Sequence, residues 1–264
     1  MNELELFAAY MSGKGWKEIT KYTYKIIIKN FISNNPDYRY FDSTKARNLV
    51  NAIRQTKTRK TTRQMVIVFK YFYHCLGLDP QIWNIRIVPE RKIPKHLSQE
   101  KINCILDNIQ GEDIYTIRDK AIYELIYAAG LRTSEVRDVT ISDINSKEMY
   151  IKIGKKRAYF GNRAKEAIIK YLNIREQFNP VSEQLFLNVH GKPISRQKIL
   201  SRLKKYSGSS PLELRNSLAV HLFDNGADAK SVQKIMRYRR TNHINRYVEL
   251  SKPFKDKMLG YASL

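Results

Sequence analysis

Cysteine is scarce in this chain: 264 residues hold two, Cys75 and Cys104. Both fall within apolar helical patterns, so they are expected as core thiols rather than a disulfide or part of a metal site. Histidine is nearly as rare. The five, at 74, 96, 190, 221 and 243, show no metal-ligand spacing. No Walker-type loop, GxSxG elbow or carboxylate cluster occurs, so no metal and no cofactor are expected. No apolar run approaches the about 20 residues of a membrane span. The opening MNELELF is acidic where a secretory leader is basic. A soluble, cytoplasmic protein without a membrane partner is therefore expected. Acidic residues are the last shortage: 25 Asp and Glu against 48 Lys and Arg, a formal net charge of +23. An excess of that size attracts phosphate-rich partners and speeds encounter with them. An anionic membrane surface is the competing partner, but no single basic amphipathic helix dominates the chain.

What the chain does contain is helical periodicity. Leu4, Phe7 and Met11 form one apolar stripe. Tyr24, Ile27, Ile28 and Phe31 form a second, behind Thr20 as cap. Ala46, Leu49, Val50 and Ile53 form a third, opened by Asp42 or Ser43. Met65, Val68, Phe69, Phe72 and Leu76 form a fourth that ends at Gly77. Four short amphipathic helices predict a small bundle over residues 1–78. Between the third and fourth, RQTKTRKTTR mixes Arg54, Lys57, Arg59, Lys60 and Arg63 with threonines. These side chains suit phosphate contacts at a helix N-terminus. A solvated loop is the other reading, and the net charge favours phosphate. Residues 79–96 lack helical period and contain three prolines, the pattern of a basic linker.

From residue 97 the pattern is mixed. Ser98 caps a helix whose face is Ile102, Ile105, Leu106 and Ile109. An apolar helix over 114–129 stops at Gly130. Met149, Ile151 and Ile153 alternate as a strand, Gly154-Lys155-Lys156 turns, and a second short strand runs from Arg157 to Phe160. Helices follow at about 162–177, 195–206, 211–225 and 228–236. The predicted fold is mainly α with a small β-hairpin, an α+β arrangement.

Cleaving a DNA strand without a metal requires a nucleophile on phosphorus, cations on the non-bridging oxygens, and an acid for the leaving 5′-oxygen. Arginine suits the clamp because its planar fork grips phosphate at two points. Arg132 lies in GLRTSE just past a helix end, with Glu135 one turn on to orient it. Arg215 lies in PLELRNSLAVHLFDNG, and Tyr247 in RYRRTNHINRYVEL. Each piece alone is weak. In this order and spacing, with VQKIM downstream of the second block, they resemble the tyrosine recombinases, the phage integrase and Xer-like family, over nearly the whole chain.

The resemblance implies a helical, SAM-like core-binding domain over 1–78 and a catalytic domain over 97–264. It makes Arg132 and Arg215 the catalytic arginines and Tyr247 the nucleophile. The family's catalytic lysine sits in the hairpin turn, which points to Lys155, directly after the glycine, with Lys156 the alternative. It further implies site-specific cleavage and rejoining of double-stranded DNA through a 3′-phosphotyrosine, for integration, excision or dimer resolution. A homotetramer on two DNA sites, a monomer or dimer when free, and association with the nucleoid follow from the same likeness. Past Tyr247, the helical spacing of Phe254, Met258 and Leu259 suggests a tail that docks on a neighbouring protomer or on its own domain.

Two positions depart from the family pattern. Leu212 stands where a histidine is usual, three residues before Arg215. Tyr238 stands where histidine or tryptophan is usual, nine residues before Tyr247, and it retains a hydroxyl that can donate. Arg237, Arg239 or His243 would supply charge or hydrogen bonds nearby. Acid–base help is worth about 10²–10⁴-fold, so the expectation is a slower or partner-dependent enzyme. The alternatives are a non-catalytic DNA-binding relative and a topoisomerase-like relaxing enzyme. His221, six residues past Arg215, faces elsewhere and is expected in the core.

Overall fold

The computed structural model describes residues 2–254 and 256, apart from 89 and 91. Met258 and Leu259 of the expected tail lie outside the described residues. The chain forms two compact units, Met1–Lys92 and Ile93–Leu264.

The first unit contains α1 (Glu3–Gly13), α2 (Glu18–Asn34), α3 (Ser43–Thr56) and α4 (Arg59–Cys75). Side-chain caps set three of the four starts. Asn2 and Glu5 form a capping box, Asp42 accepts the Lys45 N–H at 2.7 Å, and Thr58 accepts that of Thr61 at 3.2 Å. The fourth start corrects the sequence reading: α2 begins at Glu18, so Thr20 lies inside it rather than capping it. The apolar stripes converge on a core of Phe7, Met11, Ile28, Phe31, Ala46, Val50, Phe69 and Phe72.

The linker expected over 79–96 is corrected in its first half. Asp79 caps a 3-10 turn, Pro80–Trp83, through the Gln81 N–H at 2.9 Å. The turn buries Trp83 to 1% exposure against Phe69 and Tyr73, with ring centroids 4.9 and 5.3 Å apart. An indole contributes too much apolar surface to be left in a free tether. The two cysteines also part company. Cys75 packs half-buried on this core, whereas Cys104 is exposed, because Ile102, Ile105 and Leu106 occupy the inward face of its helix.

The second unit runs α5 (Gln99–Asp107), α6 (Ile114–Ala128), α7 (Thr133–Asp138), β1 (Ile144–Asn145), β2 (Tyr150–Ile153), β3 (Lys156–Tyr159), α8 (Asn162–Ile174), α9 (Arg196–Ser207), α10 (Pro211–Asp224), α11 (Ala229–Met236) and α12 (Asn245–Val248). The helix α6 is buried nearly all round, with Arg118, Asp119 and Glu124 inside as ion-paired charges, and it packs against α8 and α10. The strands pair antiparallel in the order β1-β2-β3, with Ile151 opposite both Ile144 and Ala158. The fold is thus mainly helical with a small sheet. Three details differ from the sequence reading. The elements α7 and β1 are additional, being too short to show a period. Met149 is the turn before β2, at φ +53°, rather than a strand residue.

Candidate active site

The site grows from the end of α6. Gly130 turns the chain at φ +56°, a conformation that a Cβ disfavours. Two residues later Arg132 caps α7. Glu135 answers from the first turn: its Oε2 accepts the Arg132 N–H at 2.8 Å, and its other oxygen pairs with the Arg132 guanidinium. Arg237, just past the end of α11, reaches the same carboxylate at 2.8 Å. Burial alone would push the Glu135 carboxyl up, but the Arg237 and Arg132 bonds and charges hold it below its ordinary 4.5.

Arg237 is not the free cation that the sequence suggested. It is 5% exposed and donates to the carbonyls of Ala129 (3.0 Å), Gly130 (2.7 Å) and Ile235 (3.0 Å). Its own carbonyl accepts from Arg132 Nη2 at 3.3 Å. Arg237 therefore staples the Gly130 turn to α11 and seats Arg132.

Arg215 approaches from α10, whose start is fixed by Pro211 and a Ser210–Glu213 capping box. It is 3% exposed and donates Nη2 to the Met236 carbonyl. Its Nη1 is buried without a partner. Burial lowers its pKa to about 10, which leaves it charged at neutral pH. A buried guanidinium with a spare donor is energetically costly until an anionic oxygen arrives.

Tyr238 contacts both arginines and Tyr247. The guanidinium carbons of Arg215 and Arg132 sit 5.4 and 5.9 Å from its ring centroid. The Tyr247 ring stacks on Tyr238 at 6.3 Å, with the two hydroxyls 3.0 Å apart. Tyr247 is 5% exposed and donates to Asn216 Oδ1 at 2.9 Å. Its proton is thus committed, so Tyr238 is the donor between the two. Burial pushes the Tyr247 phenol well above its ordinary value. His243 lies against Tyr238, their centroids 5.9 Å apart, and so adjoins the neighbour of Tyr247.

Arg132, Arg215, Tyr238 and Tyr247 are thereby brought together. Lys155 and Lys156 are exposed in the turn and at the start of β3. No hydrogen bond ties either to the cluster among the described residues. Leu212 is 63% exposed one turn before Arg215, with a side chain that can neither donate nor accept a hydrogen bond. His221 is a core residue: Nε2 donates to the Leu97 carbonyl and Nδ1 accepts the Tyr127 hydroxyl, both at 2.9 Å. In the first unit Arg54, Lys57, Arg59, Lys60 and Arg63 are all exposed from the end of α3 to the start of α4. Arg59 pairs with Glu90 at 3.6 Å. Among the described residues no His, Cys, Asp and Glu cluster could hold a metal, and no helix is long and apolar enough to cross a membrane.

A model of the phage integrase family matches residues 95–253. The chain belongs to that family, the tyrosine recombinases. It is 33% identical over 218 residues to a provisionally named tyrosine recombinase of Caldanaerobacter subterraneus subsp. tengcongensis, the match covering 75% of each chain. It is also 33% identical to tyrosine recombinase XerD of Halalkalibacterium halodurans, over 61% of this chain and 59% of that one. Identity to tyrosine recombinase XerC of Haemophilus influenzae is 32%, over 61% and 58%. The chain thus spans less than two thirds of these Xer relatives. In fold it is similar to the integrase of transposon Tn1549 in complex with transposon right-end DNA (TM-score 0.78, 16% identity, all of both chains). It is likewise similar to the XerH recombinase bound to palindromic difH substrate (TM-score 0.75, 16% identity, 91% of this chain and 78% of that one).

Two site residues of this integrase-family chain escaped the sequence reading. Arg237 was read as a free charge because its left-handed backbone is invisible in sequence. Asn216 was passed over, although asparagine in mid-helix is unfavourable unless its amide is used. The Glu135 arrangement also carries a pH signature. A carboxyl ionising below 4.5 stabilises the fold fully above that value, and the benefit is lost as pH falls through the lowered folded value. Glu135→Gln is therefore expected to flatten the acid limb of a melting-temperature profile. An unchanged acid limb would mean that the carboxylate is not held by these arginines.

Proposed function

We propose that the chain is a site-specific recombinase that cleaves and rejoins double-stranded DNA through Tyr247. The observation that carries this is the sharing of one aromatic ring: Arg132 and Arg215 approach Tyr238, which bonds the Tyr247 hydroxyl. A phosphate seated against the unpartnered Nη1 of Arg215 would have its non-bridging oxygens clamped by the two guanidinia. Tyr247 Oη would give up its proton to solvent and bond to phosphorus as the bond to the 5′-oxygen breaks, yielding a 3′-phosphotyrosine. Lys155, or Lys156 in its place, would protonate the departing 5′-oxygen. Attack by a 5′-hydroxyl from a second duplex reverses the step. The phosphodiester's energy is conserved, so no cofactor is required. Four copies on two DNA sites and a nucleoid location complete the proposal.

The test is incubation with a target duplex nicked just beyond the scissile phosphate, so that the short fragment carrying the released 5′-hydroxyl escapes. A denaturant-resistant protein–DNA band, lost in Tyr247→Phe, is expected. Its persistent absence on a verified binding site would leave a DNA-binding role only. The basic stretch has its own check. Affinity should fall with salt at a slope of about −0.9 per phosphate neutralised, and charge-removing substitutions at Lys57, Lys60 and Arg63 should flatten that slope by up to about 0.9 each. An unaltered slope would take these residues out of the DNA interface.

A further inference from the structure

Asn216 is the side chain that meets the nucleophile's oxygen. It accepts the Tyr247 hydroxyl on Oδ1 at 2.9 Å and donates through Nδ2 to the Lys95 carbonyl at 3.0 Å. The neighbouring Ser217 accepts the Leu97 N–H at 2.8 Å, and His221 holds the Leu97 carbonyl. One face of α10 therefore stitches down residues 95–97 with three side chains, and the first of the three also holds the phenol. The amide oxygen accepts a hydrogen bond but cannot take a proton. Tyr238 is no base either, since it donates to the same oxygen. The Asn216 acceptor therefore favours a neutral phenol in a buried place, which is the opposite of what attack on phosphorus needs.

Resting on the reading of Tyr247 as nucleophile, we propose that Asn216 is a positioning residue. It holds Tyr247 docked and unreactive, and ties its release to displacement of the strap formed by residues 95–97. The strap is the stretch of chain that leads from the first unit toward α5, so a pull from that unit reaches Lys95 before it reaches the helices. Moving the Lys95 carbonyl deprives the amide of the partner that orients it. Its oxygen then turns away from the phenol, and the hydroxyl loses the acceptor that kept it neutral and buried. A bond to one main-chain carbonyl thus becomes a condition on the nucleophile.

The test uses the full chain with 3-fluorotyrosine at position 247, read by fluorine NMR in light and heavy water. The solvent isotope shift distinguishes a buried ring from a released one. Asn216→Leu keeps the side-chain size and removes both bonds. It should move the docked-to-released balance roughly 5- to 150-fold, the range for leaving one buried hydroxyl short of a partner. Ser217→Ala, which loosens the strap without touching Tyr247, should produce the same released resonance at lower population. Asn216→Asp keeps the acceptor but loses the donor to Lys95, and should fall between them. Adduct formation on the nicked duplex should rise in the same order. A docked resonance in Asn216→Leu, or slower adduct formation in that variant, overturns the proposal. An unmoved resonance in Ser217→Ala overturns the coupling to the strap. If the fluorine shifts appear while no variant nor the parent chain forms an adduct, it is the nucleophile reading that fails.

Discussion

Arg215→Gln is expected to slow formation of the covalent adduct by about 10²–10³-fold, the usual loss when one preorganised donor to developing charge is removed. The effect should fall on the chemical step, with DNA affinity changed only severalfold, because many exposed cations share the binding. Gln retains a donor for the Met236 carbonyl but brings neither charge nor a second nitrogen. The folded chain loses little, since the guanidinium is buried with Nη1 unpaired and its charged form is disfavoured there. Melting temperature should therefore hold while single-turnover cleavage collapses. A variant that cleaves within threefold of the parent chain would remove Arg215 from the clamp. This loss is comparable with that expected from the missing histidine at Leu212, for which acid–base help is worth about 10²–10⁴-fold.

Gly130→Ala should damage fold and site together. The residue sits at φ +56°, where an added Cβ would lie 2.9 Å from Leu218 Cδ2 and 3.2 Å from Met236 Sδ. The left-handed backbone costs about 1–2 kcal/mol, and the crowding about 1–3 kcal/mol more. At about 2–4 °C per kcal/mol for a unit of this size, calorimetry should show a drop on the order of 4–20 °C. The same Cβ would lie 3.6 Å from Arg215 Nη1, beside the space a phosphate would need. Arg132 follows two residues on and would shift with the turn. Displacements of about 1 Å can cost on the order of 10²-fold in rate. A variant that melts and cleaves like the parent chain would show that the turn is not what seats the arginines.

Much of this was legible before any coordinates. The stripes from Leu4 to Leu76 named Phe7, Met11, Ile28, Phe31, Ala46, Val50, Val68, Phe69 and Phe72 of the first core, because helical spacing marks the buried face directly, but they left out Tyr38, Val66, Tyr73, Trp83 and Ile87. Gly77 and Gly130 marked two helix ends, and Ser98 and Asp42 marked two starts. Trp83 was misjudged because the prolines around it read as linker, and nothing local shows that Phe69 and Tyr73 leave room for an indole. Cys104 was misjudged because an apolar helix has one inward face, and the cysteine is one position off it.

The sequence by itself determined the helical architecture, the cationic character and the order Arg132, Arg215, Tyr247, since each is a local or compositional property. Tertiary structure alone decided what those residues do to one another. It turned Arg237 from a loose charge into a staple, seated Arg215 with an unspent donor, and handed the Tyr247 proton to Asn216. The physical reason is that burial and hydrogen-bond partnership depend on groups more than a hundred residues apart in the chain, and no local pattern encodes which of them will meet.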